Sequence, residues 1–207
     1  MPFPLELKTF CLHGQSFELF VPEPEAVRKT YLQGGTGFPY WSQVWPAAQG
    51  LGAFLLQHRQ YIQNKHVAEL AAGLGLPSLV AARYARTVRC SDYVAEAVHV
   101  VHRSAAHHRL HNFSAERLDW RALPQTLDVD VLLLSDINYE PEAFALQWEL
   151  VHRFLQKGTT VILSTPQRLM AREFITPLLL WCRHQTEIVV PHTGKEVPIS
   201  VLVLQQD

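Results

Sequence analysis

The sequence predicts an α/β fold: a mostly parallel sheet of seven strands that ends in an antiparallel hairpin. Three observations lead there. From Lys65 onward, short apolar runs alternate with longer amphipathic stretches, which is the pattern of βαβ units. The last two runs, HQTEIVVPH and VPISVLVLQQ, are joined only through Thr193-Gly194-Lys195, too short for a crossover helix, so they must pair antiparallel. A length of 207 residues, 48% hydrophobic and 18% charged, suits one packed core better than two.

Residues 1–64 read as an N-terminal extension of hairpin and helix, packed on a core of residues 65–207 within one domain. Lys8 to Val21 holds two short apolar pieces around His13-Gly14-Gln15, a turn-forming centre, before the Pro-rich Pro22 to Pro24. Gly34-Gly35-Thr36-Gly37 then leads into PYWSQVWPAAQGLGAFLL. There Ala47, Leu51, Phe54 and Leu55 recur at helical spacing, so a helix follows the aromatic cluster. Strands are expected near 66–70, 86–91, 109–113, 130–135, 159–164, 185–190 and 198–204, with helices between them.

The net charge of −1 supplies no global field toward nucleic acid or anionic lipid, so neither is an expected partner. Cys11, Cys90 and Cys182 lie far apart, without the spacing of zinc sites or small disulfide scaffolds, which suits a reducing compartment. MPFPLELKTF lacks a basic stretch followed by an apolar one, and no run approaches the roughly 18 apolar residues of a membrane span; a soluble, cytoplasmic protein is expected. His99, His102, His107, His108 and His111 crowd one region, but His111 is expected in the following strand and no third ligand stands nearby. A solvated helix face, and no metal, is the reading. Arg83, Arg86 and Arg89 bracket a strand without interleaved aromatics, as packing or capping residues do.

The chemistry-bearing residues fall at strand ends. HVAELAAGLGLP places a buried strand before a small-residue turn, Ala71 to Gly75, and a helix from Leu76; glycines there let backbone amides approach a ligand beside a helix N-terminus. TVRCSDY ends in Asp92, 23 residues beyond Glu69, where a carboxylate can accept ribose hydroxyls or cap the next helix. Leu118-Asp119-Trp120 offers an acceptor for an adenine amino group and an indole for its ring face, or a surface acid and a core Trp. DVDVLLLSDINYEP ends an apolar strand in Ser135-Asp136-Ile137-Asn138-Tyr139 at the open edge of the sheet, where a cap and a core ring are the alternatives.

In this order, PYWSQVWPAAQGL, VAELAAGLGLP, VRCSDY, LDW and SDINYEP resemble methyltransferase family 16, seven-β-strand class I methyltransferases with a D-x-x-Y motif, many of them protein lysine methyltransferases. The resemblance runs from about Tyr40 to the C-terminus. It implies a Rossmann-like seven-stranded sheet and S-adenosyl-L-methionine as cofactor. Trp45 would lie against the cofactor, Glu69, Ala71, Gly73 and Gly75 near its amino-acid portion, Asp92 at the ribose, and Asp119 and Trp120 around adenine, with Tyr93 and Ser135 completing the cofactor-binding set. The family's E-x-G-x-G-x-G motif has Ala71 in place of its first glycine, which a negative φ there would accommodate. Asp136 and Tyr139 match the D-x-x-Y pair that borders the approach of the nucleophile, and are the catalytic candidates.

The implied reaction is N-methylation of a protein lysine; a small-molecule amine on the same fold, or a cofactor-binding module without turnover, are the alternatives. Methyl transfer from a sulfonium asks for an aligned, desolvated nucleophile more than for a strong acid, base or metal. A nicotinamide-dependent dehydrogenase has no use for the terminal antiparallel pair or the Trp-Pro-Ala segment.

Overall fold

The computed structural model describes residues 3–34, 38–124, 127–167 and 171–206. It opens with β1 (Leu5–Leu12) and β2 (Gln15–Pro22), an antiparallel pair in register from Leu5↔Pro22 to Leu12↔Gln15. His13 and Gly14 both take positive φ, 44° and 75°, the two-residue turn whose twist matches that of the strands. The Pro-rich segment then starts α1 (Pro24–Gly34), a helix absent from the sequence reading. Pro24 opens it, where a missing N–H costs nothing and a fixed φ suits the first turn. The expected Gly35-Thr36-Gly37 lead lies outside the described residues. The helix after the aromatic cluster is α2 (Pro46–Gln57), again with proline in its first turn.

The core follows as β3 (His66–Leu70), α3 (Leu76–Ala81), β4 (Thr87–Asp92), α4 (Ala95–His107), β5 (Phe113–Arg117), β6 (Val131–Ser135), α5 (Phe144–Gln156), β7 (Thr160–Pro166), α6 (Ala171–Leu178), β8 (Cys182–His192) and β9 (Lys195–Leu204). Seven of these strands form one sheet in the order β5-β4-β3-β6-β7-β9-β8. The first five are parallel, and β9 runs antiparallel to both β7 and β8. This is the seven-stranded sheet with a terminal antiparallel pair that the sequence predicts. Thr193 and Gly194, at φ 49° and 76°, make the closing turn.

One strand departs from the expected position. Residues 109–113 do not form it; β5 begins at Phe113, and His111 precedes it. The helix ends first: Arg109 turns to φ 54° and Leu110 N–H reaches back to the Ala105 carbonyl at 3.2 Å. This six-to-one bond closes a helix C-terminus, and the apolar residue beyond it, Leu110, packs against the core without entering a strand.

The inner strands are buried on both faces, which is why they read as continuous apolar runs. Val67, Val131, Leu133, Ile162 and Val201 face α2, α3 and α4; Ala68, Leu70, Leu132, Leu134, Val161 and Leu163 face α5 and α6. Chain order reverses across β3 and β6: from β3 the chain proceeds outward through β4 and β5, then returns to lay β6 on the other side of β3. At such a switch point the two connections leave in opposite directions, and a crevice opens at the carboxyl ends of the strands.

The hairpin is fastened to this core. Phe17 is 1% exposed, with the Arg83 guanidinium 3.9 Å from its ring centroid. Arg83 also donates to Gln15 Oε1 (3.1 Å) and Ser16 O (3.0 Å). From α4, Ser104 Oγ accepts the Phe20 N–H at 3.0 Å, His107 Nε2 lies 2.9 Å from Glu18 Oε2, and His108 Nε2 lies 2.6 Å from the Glu18 carbonyl. Two of the clustered histidines therefore clamp the extension, where a solvated face was expected. Arg89 pairs with Glu116 at 2.7 Å.

These contacts predict that the extension unfolds together with the core. Phe17→Ala should lower stability by about 3–5 kcal/mol, the usual cost of emptying a buried Phe site, and urea unfolding followed by both circular dichroism and tryptophan fluorescence should stay a single coincident transition. A hairpin that melts separately, with the core midpoint unchanged, would contradict this.

Candidate active site

A cavity of about 860 Å³ opens at the switch point, its walls drawn from the residues that follow β3, β4 and β6. Its size is that of a small-molecule site, typically ~300–1,000 Å³. Of the residues singled out in the sequence, Trp45, Ala71, Gly73, Gly75, Asp92, Tyr93, Trp120, Ser135, Asp136 and Tyr139 line it. Glu69 and Asp119 do not.

The loop after β3 is wound tightly by left-handed residues: Ala71 at φ 53°, Gly73 at 54° and Gly75 at 70°. The condition of negative φ at Ala71 is not met. The alanine takes the glycine conformation, with the strain of a Cβ in the left-handed region, about 1–2 kcal/mol. At Gly75 a Cβ would stand 2.9 Å from Cys90 Sγ, so glycine is needed there for space as well as for φ. The loop is pinned to β4 by Ala72 N–H to Ser91 O (3.0 Å) and by Ser91 Oγ–H to Glu69 O (2.9 Å).

Glu69 lies beneath this loop. Fully buried, its Oε2 accepts both the Ser78 N–H (2.9 Å) and the Ser78 hydroxyl (2.5 Å) at the start of α3, while Oε1 finds no partner. Burial pushes its pKa up to about 8, against the two Ser78 bonds and with help from the Asp92 charge. Glu69 is thus a neutral strut between strand and helix.

Asp92, 6% exposed at the end of β4, unites the two roles open to it in the sequence. Oδ2 accepts the Gly73 N–H at 2.9 Å and Oδ1 the Val94 N–H at 2.9 Å, just before α4. Burial raises its pKa, and the backbone N–H groups oppose the rise. The carboxylate's two oxygens offer about four acceptor positions, so these bonds leave room for a further donor.

Asp119 caps the short turn Trp120–Ala122 through the Arg121 N–H (2.9 Å) and binds the Arg121 guanidinium with both oxygens, the shortest contact 2.6 Å. The Arg121 bonds hold its pKa below the usual carboxylate range. Its neighbour two residues on takes the acceptor capacity that the sequence assigned to a base, and Trp120 alone reaches the cavity.

After β6 the chain turns at Asp136, a non-glycine residue at φ 52° and 9% exposed, whose N–H is held by the Ser164 carbonyl at 2.9 Å. Gln147 on α5 donates to the Ile137 carbonyl at 2.6 Å and so fixes the middle of the motif from below. Tyr139 is half-buried. Burial, and next the negative charge of Glu140, push its pKa up to about 12, so its phenol stays protonated at physiological pH.

The N-terminal segment supplies a wall that sequence reasoning missed: Phe3, Tyr31, Phe38, Tyr40 and Trp41 also line the cavity. Trp41 Nε1–H donates to the Tyr31 hydroxyl at 3.1 Å, and Trp45 Nε1–H to the Tyr40 carbonyl at 2.7 Å. The available signal was the density of aromatics between Phe38 and Trp45, four in eight residues.

Comparison with known proteins assigns a family. Residues 33–179 match a family described as lysine methyltransferase. The protein N-lysine methyltransferase METTL21A of Xenopus tropicalis is 30% identical over 169 residues, 78% of this chain and 75% of that protein. The histone-arginine methyltransferase METTL23 of Xenopus laevis is 32% identical over 111 residues, 51% of this chain; the match spans about half, 47%, of that relative's length. Among solved structures, the Thermus thermophilus 16S rRNA N2 G1207 methyltransferase RsmC, in complex with AdoMet and guanosine, superposes with a TM-score of 0.66 at 14% identity, covering 98% of this chain and 51% of that one. That likeness is one of fold.

The Glu69 strut has a measurable signature. Its folded pKa of about 8 lies above the ordinary 4.5, so the folded state keeps a proton that the unfolded state releases. Its contribution is complete below pH 4.5, falls through the window between 4.5 and 8, and levels off above. Urea unfolding between pH 5 and 8.5 should show stability declining by up to ~1.4 kcal/mol per pH unit, and Glu69→Gln should flatten that slope. Equal slopes in the two proteins would contradict the buried neutral acid.

Proposed function

We propose that this chain, which belongs to the lysine methyltransferase family, is an S-adenosylmethionine-dependent methyltransferase that acts on the side-chain nitrogen of a protein lysine. The observation that carries the reading is the cavity at the switch point, where the Asp92 carboxylate, the Gly73–Gly75 backbone and the turn from Asp136 to Tyr139 border one space. When bound, the cofactor supplies an electrophilic methyl group on a positively charged sulfur.

The residues fit such a ligand. Asp92 keeps acceptor capacity toward the cavity for a vicinal diol, Trp120 offers an indole to the adenine, and Trp45 with the Gly73–Gly75 amides borders the amino-acid end. Tyr93 and Ser135 complete the wall. Glu69 serves the cofactor through the loop it supports, and Asp119 through the turn it caps. Ala71 holds its loop in the conformation a glycine would adopt.

On the acceptor side, Asp136 and Tyr139 position the amine. A lysine must lose its proton before it attacks, and burial beside apolar Ile137, further in, favours the neutral form. Asp136 orients the incoming ammonium. Tyr139, held as a neutral phenol, gives or takes a hydrogen bond at the nitrogen and does not act as a phenolate base. Catalysis by this site is alignment in a dry space.

The partner is a protein, with no part for nucleic acid or membrane; the net charge of −1 supports this. Among the described residues no helix is long and apolar enough to cross a membrane. The free thiols of Cys11, Cys90 and Cys182 support a cytoplasmic location. A second reading, arginine as acceptor, rests on relatives named as histone-arginine methyltransferases at 26–32% identity.

Incubation of the protein with methyl-labelled S-adenosylmethionine and cell extract, followed by acid hydrolysis, should place the label in methyl-lysine; label in methyl-arginine would shift the assignment to the second reading. Asp136→Ala and Tyr139→Phe should lower single-turnover transfer by roughly 10- to 100-fold while S-adenosylhomocysteine affinity changes by less than about twofold. Parallel losses in both would assign the two residues to the cofactor loop.

A further inference from the structure

Three rings that line the cavity touch in succession, each tilted against the next. Tyr139 and Tyr40 have centroids 5.0 Å apart, and Tyr40 and Phe38 4.8 Å apart. All three line the cavity, and exposure rises outward, from half-buried Tyr139 to 44% at Tyr40 and 61% at Phe38. The backbone beneath them is fixed: Tyr40 N–H donates to Phe38 O (2.9 Å), Ser42 Oγ–H to Pro39 O (2.9 Å) and Trp45 Nε1–H to Tyr40 O (2.7 Å). Rings held in water by an ordered backbone, continuous with a cavity, mark a surface that something covers.

Charge says what covers it. Glu140 follows Tyr139 in the chain, and its negative charge is felt at the Tyr139 hydroxyl and, against the opposing charge of Arg121, at the Tyr93 hydroxyl. Among the described residues that line the cavity, none is Lys or Arg. Ring faces carry the negative part of the aromatic quadrupole and attract cations within about 6 Å. A compact cation therefore gains along the whole row, whereas a neutral apolar group gains only contact area and an anion is repelled.

We propose that Phe38, Tyr40 and Tyr139 form an aromatic ladder that holds the acceptor nitrogen as a cation on its ring faces, and so binds a methylated ammonium as well as an unmethylated one. The proposal rests on the methyltransferase reading and adds where the acceptor binds and how. In each transfer the amine lone pair forms the new N–C bond, the C–S pair stays on sulfur, and the nitrogen takes up the positive charge. The immediate product is again a cation. A cage of carboxylates loses an N–H donor with every methyl added, but ring faces need no donor. The ladder therefore retains the methylated nitrogen, which sheds a proton to water while a fresh S-adenosylmethionine replaces the spent S-adenosylhomocysteine, and one nitrogen can be methylated repeatedly.

The test uses Nα-acetyl-Nε-trimethyllysine methylamide and its neutral isostere, with a tert-butyl carbon in place of the trimethylammonium group. Each is titrated into the full chain by proton NMR, with and without S-adenosylhomocysteine. The expected result is saturable binding of the cation, with its N-methyl signal moved upfield by the rings, and binding of the isostere weaker by ~5-fold or more. Phe38→Ala and Tyr40→Ala should each weaken the cation by ~2- to 5-fold, Tyr40→Phe should restore binding, and the isostere should respond little. Equal affinity for cation and isostere, or cation binding indifferent to Tyr40→Ala, would overturn the ladder. Failure of S-adenosylhomocysteine to bind while the cation preference persists would instead contradict the methyltransferase reading.

Discussion

The carboxylate of Asp92 holds the site together by accepting one backbone N–H from each of two directions. Its bond to Gly73 fixes the loop that follows β3, and its bond to Val94 fixes the approach to α4. Both loops belong to the crevice that the reversal of strand order opens between β3 and β6. A buried carboxylate that receives two N–H groups is stable enough to stay and still has unused lone pairs. The group that shapes the cavity is therefore also the one best prepared to receive a ligand with paired hydroxyls.

Around that anchor the molecule divides its work by strand end. The end of β3 provides tightly wound backbone, held from below by the neutral Glu69 strut on Ser78. The end of β6 provides the Asp136 turn, locked by Ser164 and Gln147. Left-handed Ala71 and Asp136 directly follow the neighbouring strands β3 and β6, so strain gathers where the chain must turn sharply around the cavity. The N-terminal segment closes the remaining side with aromatic rings, and its hairpin is clamped to α4 through Glu18 and Ser104. Strand ends form the inner wall of the cavity, and the more exposed aromatic rings form its mouth.

Much of this was legible in the sequence because burial on both faces writes an inner strand as an unbroken apolar run, as in Val131 to Leu134, and because Thr193-Gly194 leaves no room for a crossover. Strand ends were legible for the same reason, and with them most of the cavity wall. What failed depended on how a residue is used by its neighbours. Leu110 looks like a strand residue and instead finishes a helix. Pro24 looks like a breaker and instead begins one. Glu69 and Asp119 occupy motif positions, but Ser78 and Arg121 claim their carboxylates, and no spacing rule reports which way a side chain turns. The aromatic wall lay in a segment without periodicity, where tertiary contact alone brings Phe38 and Tyr40 to the mouth of the cavity.

The central claim is that the crevice at the switch point is a nucleoside site with its reactive end toward Asp136 and Tyr139. A crystal structure of the protein with S-adenosylhomocysteine tests it most directly. The account predicts both ribose hydroxyls within hydrogen-bond distance, about 2.5–3.0 Å, of the Asp92 carboxylate, the adenine beside Trp120, and the sulfur facing the turn from Asp136 to Tyr139. A ligand bound elsewhere, or one lying in the crevice with its sulfur directed away from that turn, would contradict it.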